Sequence, residues 1–149
     1  MLEFAAELKI NRPLAEVFAW LTNADNQRKF DKGSLEMHVL TPGPWRAGTQ
    51  FREIRNLGGR KTTVLSEVAE LEQNKRFVIR SKTGPGWLGV WVFEPDDAGT
   101  RLRWTGQLRM KGFARLLEPL IGRQMRPAVE QQFARLPSLI ESEIAEQRG

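Results

Sequence analysis

The stretch Gly48-Thr49-Gln50-Phe51-Arg52-Glu53-Ile54-Arg55-Asn56-Leu57, then Gly58-Gly59, then Arg60-Lys61-Thr62-Thr63-Val64-Leu65-Ser66-Glu67-Val68-Ala69-Glu70-Leu71, decides how this chain folds. Two runs with strand-like alternation flank a two-residue glycine link, the strongest hairpin signal in the sequence. The same rhythm continues on both sides. Lys75–Thr83 and Trp87–Glu94 read as strands separated by Gly84-Pro85-Gly86, and Pro95-Asp96-Asp97-Ala98-Gly99 turns the chain into a last strand, Thr100–Met110. Upstream, Ser34–Thr41 is a strand broken by Pro42-Gly43-Pro44. Leu2–Ile10 alternates Leu2, Phe4, Ala6, Leu8 and Ile10 against Glu3, Ala5, Glu7 and Lys9, the pattern of a half-buried strand. Between these two, Asn11-Arg12-Pro13 opens a short helix with Leu14, Val17, Phe18 and Leu21 on one face. Thr22-Asn23-Ala24-Asp25 has N-cap chemistry for a second, over about 23–30.

Residues 112 to about 146 are helical by pattern, but their apolar residues form two sets. Phe113, Leu116, Leu117, Leu120 and Ile121 do not share a face with Val129, Phe133, Leu136, Ile140 and Ile144, since Leu117 lies roughly opposite Phe133 on a straight helix. Pro119, Gly122 and Pro127 stand between them. The pattern predicts a helix bent or interrupted near 119–127, with Phe113, Leu117 and Leu120 closing one end of a cavity.

Composition narrows the chemistry. The 149 residues suit one domain, 1–149, and 40% hydrophobic with 28% charged residues excludes a disordered chain. Without cysteine there are no disulfides, thiol nucleophiles or thiolate metal sites. The single histidine, His38, excludes poly-histidine metal centres and makes a serine–histidine triad a poor fit. We therefore expect no metal and no cofactor. Eight Phe, five Trp and no Tyr mean that any polar-tipped aromatic is an indole, a donor that accepts nothing. The net charge of +5 is concentrated in residues 44–111, with thirteen basic against seven acidic residues. No dense Lys/Arg run suggests a nucleic-acid arm. The acidic start Met1-Leu2-Glu3-Phe4-Ala5-Ala6-Glu7 is unlike a signal peptide, and no apolar run approaches membrane-spanning length, so a cytoplasmic location is expected.

One strand, two short helices, six meandering strands and a long terminal helix is the element order of the START-like (helix-grip) superfamily. The local words agree. Asn11-Arg12-Pro13-Leu14-Ala15-Glu16-Val17-Phe18-Ala19-Trp20-Leu21 resembles that family's opening helix, and Trp45-Arg46-Ala47-Gly48-Thr49 its entry to the third strand. Phe93-Glu94-Pro95-Asp96-Asp97-Ala98-Gly99-Thr100-Arg101-Leu102 resembles its last hairpin. The chain is most similar to the polyketide cyclase/dehydrase and lipid-transport-like branch. The resemblance implies an α+β fold: a curved seven-stranded antiparallel sheet wrapped around the long helix, with a cavity between them for an apolar or amphipathic ligand.

Several residues are candidates for chemistry. Gly84-Pro85-Gly86-Trp87-Leu88-Gly89 matches a dinucleotide string but runs into strand rather than helix, and Gly58-Gly59-Arg60-Lys61-Thr62-Thr63 does the same. His38 alternates against Leu35, Met37 and Val39, which places it on the outer face. Glu53 and Arg55 share the face of Phe51 and are the weak catalytic candidates. Long charged side chains reach water easily, so a solvated pair at the cavity mouth is the expectation for them. Phe51, Phe77, Ile79, Trp91, Phe93, Leu102 and Trp104, with Phe113, Leu117 and Leu120, are the expected ligand-binding wall. Strand parity turns Arg76, Arg80, Lys82, Arg101, Arg103 and Arg109 outward with Leu88, Val90 and Val92, a basic convex face suited to an anionic surface or acidic partner. Binding or transport of a small hydrophobic molecule is the first reading of function. A polyketide cyclase/dehydratase enzyme and an interaction module using the sheet face are the alternatives.

Overall fold

A computed structural model describes residues 1–57 and 59–148. The elements are β1 (Leu2–Ile10), α1 (Leu14–Leu21), α2 (Ala24–Phe30), β2 (Ser34–Val39), β3 (Gln50–Leu57), β4 (Arg60–Glu72), β5 (Arg76–Ser81), β6 (Gly86–Asp96), β7 (Gly99–Arg109), a 3₁₀ turn over Gly112–Leu117 and α3 (Glu118–Arg148). The strands form one antiparallel sheet in the order β1-β7-β6-β5-β4-β3-β2. Gly58, half of the predicted hairpin link, and the side chain of Leu57 lie outside the described residues; Leu57 pairs with Arg60 across the turn. Asn23 caps α2 as its side chain predicts, its Oδ1 accepting the Asn26 N–H at 3.1 Å.

Register explains the core. Phe77 stands opposite Trp91, and Trp91 opposite Trp104, so three rings form one row across β5, β6 and β7. In the next row Gly89 faces Gly106. The Trp104 and Trp87 indoles lie over this glycine row: a Cβ on Gly106 would meet Trp104 Cη2 at 2.5 Å and Trp87 Cη2 at 2.8 Å. Only glycine permits that approach. From α3, Phe133, Leu136, Ile140 and Ile144 close over the concave face.

Two expectations are corrected here. The long helix is continuous from Glu118 through Pro127 and Pro137, and the change of geometry falls at residue 118, where 3₁₀ gives way to α. Gly122 serves a close approach rather than a bend, since a Cβ there would lie 2.8 Å from Leu2 Cδ2. The row that meets the sheet is Ile121, Met125, Val129, Phe133, Leu136 and Ile140, at spacings of three and four. Leu120 falls beside that row, and Phe113 and Leu117 sit in the 3₁₀ turn, so none of the three closes a cavity. Phe113, Leu117 and Leu120 are instead 91%, 53% and 55% exposed.

The basic convex face is the second correction. The parity that turns the arginines outward also turns Glu7, Glu67 and Glu94 outward, and the register shift between Val68 and Glu70 brings Glu70 to the same face. Arg80 reaches Glu67 at 2.7 Å, Arg76 reaches Glu70 at 3.4 Å, and Lys82 reaches Glu67 at 3.9 Å. Arg101 bridges Glu7 at 3.0 Å and Asp96 at 3.2 Å, while Arg103 meets Glu94 at 3.2 Å. Such exposed pairs add little stability, but they cancel most of the field an anionic partner would feel. Leu88, Val90 and Val92 are half-buried rather than exposed. Arg80 is the cross-strand neighbour of Leu88, and Arg76 and Arg103 flank Val92, where their methylene stems can cover apolar surface.

Candidate functional site

The expected wall residues Phe51, Phe77, Ile79, Trp91, Phe93, Leu102 and Trp104 share the concave face, all buried except the half-buried Ile79. They are packed on one another. The Trp104 and Phe133 ring centroids are 4.4 Å apart, Phe77 and Trp91 stack at 5.5 Å, and Phe18 meets Phe93 edge-on at 5.0 Å. The ring contacts form a continuous band, from Trp45 through Phe77, Trp91, Trp104 and Trp87 to Phe4. Midway, the Nε1 atoms of Trp87, Trp91 and Trp104 all lie 3.6–3.8 Å from the point a Gly89 side chain would occupy. Trp20, by contrast, donates its N–H to Glu143 at 3.0 Å.

Open space lies at the Trp45 end of the band. A pocket of about 640 Å³ is bounded by α1 and the α1–α2 connection on one side, and by β2, the β2–β3 loop and the end of β4 on the other. Phe18, Met37, Val39, Trp45 and Leu71 supply its apolar surface, and Asn23, Asp25 and Gln73 supply polar groups. Local chemistry builds each wall. Pro42 and Gly43 end β2, and the loop is tied by Arg46, whose guanidinium donates to the Pro42 carbonyl at 3.0 Å and whose N–H donates to Thr49 Oγ1 at 2.9 Å. That fold-back sets Trp45 against Phe51, ring centroids 4.9 Å apart. In β2 an irregularity between Ser34 and Glu36 leaves Met37 and Val39 on the concave side. His38, 48% exposed at its side chain, stands opposite Arg52 and beside Glu36 at 3.4 Å, and it also borders the pocket between Met37 and Val39.

Glu53 and Arg55 come together, with a partner that sequence did not indicate. Arg55 Nη1 donates to Asp31 Oδ2 at 2.8 Å and to Glu53 Oε2 at 3.0 Å, while Nη2 donates to Asp31 Oδ1 at 3.1 Å. Glu53 is only 7% exposed, so it is not the solvated group expected at a cavity mouth. Burial pushes its carboxyl above the ordinary glutamate range, against the opposing pull of Arg55 and the nearby Ser34 hydroxyl. Met37, which lines the pocket, is the cross-strand neighbour of Glu53. Asp31 and Trp45 are the site residues that sequence reasoning missed. Trp45 carried a signal, an indole set within a Pro/Gly-rich loop, whereas nothing marked Asp31 as the third member of the ion cluster.

No helix among the described residues is long and apolar enough to cross a membrane. Among solved structures, the protein TTHA0849 from Thermus thermophilus is 24% identical with a TM-score of 0.77, covering 95% of this chain and 99% of its own. A conserved protein from Geobacillus kaustophilus is 15% identical with a TM-score of 0.73, covering 95% and 96%. Ara h 8.0201 is 14% identical with a TM-score of 0.67, covering 95% and 98%. At these identities the likeness is one of fold, and the fold is the helix grip. No curated protein matches the sequence. The model of one family does match, over residues 1–141, which takes in the whole sheet and most of α3. With sheet, helix order and sequence in agreement, the chain belongs to the polyketide cyclase / dehydrase and lipid transport family.

Proposed function

We propose that the protein binds and carries a small amphipathic molecule, seated in the pocket between the α1–α2 and β2–β3 arms. The observation that carries this reading is the pocket itself: about 640 Å³, with an apolar surface of Phe18, Met37, Val39, Trp45 and Leu71 and polar groups from Asn23, Asp25 and Gln73. That volume and that mixture suit a ligand with an apolar body and one polar end. Trp45 is the ring that bounds the pocket on the side of the filled aromatic band, packed against Phe51 and Phe77, so the ligand body would lie against Trp45 itself.

Filling the pocket tests the reading. Val39 is 42% exposed, so Val39→Trp adds bulk to the pocket without crowding the core. Native mass spectrometry of freshly purified protein, followed by calorimetric titration with medium-chain fatty acids and polycyclic phenols, is expected to show a ligand on the wild type. On V39W the affinity should fall by on the order of tenfold or more with an unchanged melting temperature. Equal affinity for V39W, or no binding across that panel, would overturn the proposal.

A second reading, proton transfer on a bound substrate, is favoured by the buried Glu53, whose raised carboxyl is the perturbation expected of a general acid or base. Its Arg55 partner would then steer the proton as well as hold the carboxylate. The two readings separate by what leaves the pocket: a carrier returns its ligand chemically unchanged, whereas a cyclase or dehydratase returns one that has lost water or gained a ring.

A further inference from the structure

Phe113, Leu116, Leu117 and Leu120 lie within eight residues of one another, and at 91%, 78%, 53% and 55% exposure they stand out in water. A cluster of this kind is uncommon on a soluble surface and marks a contact. Its charge setting is distinctive. Residues 109–126 contain five cations, Arg109, Lys111, Arg115, Arg123 and Arg126, and one acid, Glu118. The Glu118 carboxylate is already engaged: the Met1 ammonium lies 2.6 Å away, the Met110 N–H donates to it at 3.1 Å, and the ammonium holds it below the usual carboxylate range. Arg126 is turned onto the protein, donating to the Glu3 carbonyl and lying over the Phe4 ring. Arg109, Lys111, Arg115 and Arg123 have no carboxylate at ion-pair distance among the described residues, in contrast to the paired arginines of the convex sheet face.

We propose that the 3₁₀ turn and the first turn of α3 dock the protein on an anionic lipid surface. Phe113, Leu116, Leu117 and Leu120 would enter the interfacial layer while Lys111, Arg115 and Arg123 meet the headgroups. The argument for lipid is charge complementarity combined with form. The patch is a short protruding segment, not a groove that would receive a partner's helix or strand. A second copy seated on it would bring two sets of unpaired cations together. A lipid surface gives the apolar side chains a non-aqueous layer and the cations their counter-charge at once. This goes beyond ligand binding and does not depend on it, because the pocket uses none of these residues.

The test is co-sedimentation with vesicles of phosphatidylcholine alone and of phosphatidylcholine mixed with phosphatidylglycerol, at low and high salt. Wild-type protein is expected to bind the mixed vesicles, to leave the neutral ones in the supernatant, and to weaken as salt screens the contact. Lys111→Glu/Arg115→Glu/Arg123→Glu should weaken binding by on the order of 100-fold. Phe113→Ser/Leu116→Ser should weaken it by at least about tenfold. Both variants should keep the wild-type melting temperature, since the substituted side chains are exposed or carry no ion pair. Arg103→Glu, on the convex face, should leave vesicle binding unchanged. Binding to neither vesicle, equal binding to both, or insensitivity to salt would overturn the proposal. So would a concentration-dependent dimer that F113S/L116S abolishes in protein that ignores vesicles.

Discussion

Phe133→Ala is expected to destabilise the protein by about 3–5 kcal/mol, the range for removing a fully enclosed aromatic side chain. Phe133 is the side chain through which α3 grips the sheet. It is 2% exposed, and its ring lies 4.4 Å from Trp104, 5.8 Å from Trp91 and 6.2 Å from Phe30, centroid to centroid. Those neighbours belong to β7, β6 and α2, which the register and the caps hold in place. They cannot follow the shortened side chain inward, so a void remains and the lost contacts are not recovered. For a chain of this length the melting temperature should fall by roughly 6–20 °C. Phe113→Ala is the matched control: the same chemical change at a 91% exposed position should move stability by less than about 0.5 kcal/mol. Urea unfolding of both variants checks the pair, and similar losses for the two would contradict the placement of the helix.

Arg55→Met should cost about 3 kcal/mol at neutral pH, toward the low end for breaking a buried ion cluster because Arg55 keeps some contact with water. The loss arises from what remains: Glu53, enclosed between β2, β3 and β4, is left without its counter-ion and must either hold a buried charge or take up a proton. The pH dependence has a definite sign. Burial already raises the Glu53 carboxyl, and removing Arg55 removes the chief opposing pull, so the folded-state value moves further above the unfolded one. A carboxyl raised on folding favours the folded state below its unfolded value, and that advantage is lost as pH climbs through the folded value. The variant should therefore lie nearer to wild type at about pH 4.5 than at pH 7. Glu53→Gln added to Arg55→Met should recover part of the neutral-pH loss and flatten the profile. Denaturant midpoints at the two pH values decide the matter; a deficit that grows on acidification would contradict the assignment.

The strands are legible because alternation and turn chemistry agree. Leu2–Ile10 is legible to the residue, and the parity that turns Phe77, Trp91 and Trp104 toward the helix follows from the pleat alone. The other strand ends shift by one or two residues: β2 stops at Val39 rather than Thr41, β3 starts at Gln50 rather than Gly48, β5 is shorter at both ends, and β6 runs on to Asp96 through the proline expected to turn it. The segment that misleads is 112–122, where apolar residues imply burial only if something lies opposite them. Phe113 and Leu117 have the composition of a core and the placement of a surface, a distinction that periodicity does not encode. The arginine face fails for a related reason. Outward direction can be read within one strand, but neutralisation depends on which residue of the next strand stands opposite, and Glu67 faces Arg80 only through the register of β4 and β5. Asp31 is invisible in the sequence because its role depends on a guanidinium twenty-four residues away.

The tryptophans over the glycine row have an optical consequence. Trp87 and Trp104 lie with centroids 6.0 Å apart, and Trp91 and Trp104 6.2 Å apart, at interplanar angles of 35° and 62°. Indole transitions this close and mutually skewed share their excitation, so the folded protein is expected to show an exciton couplet in its ultraviolet circular dichroism. The chain has no tyrosine whose bands would overlap the indole signal. The couplet depends on the relative angle of rings in neighbouring strands, and so it reports the twist between β6 and β7. Because Phe133 packs on both Trp91 and Trp104, a loosening of the helix above them is expected to change the size of the couplet.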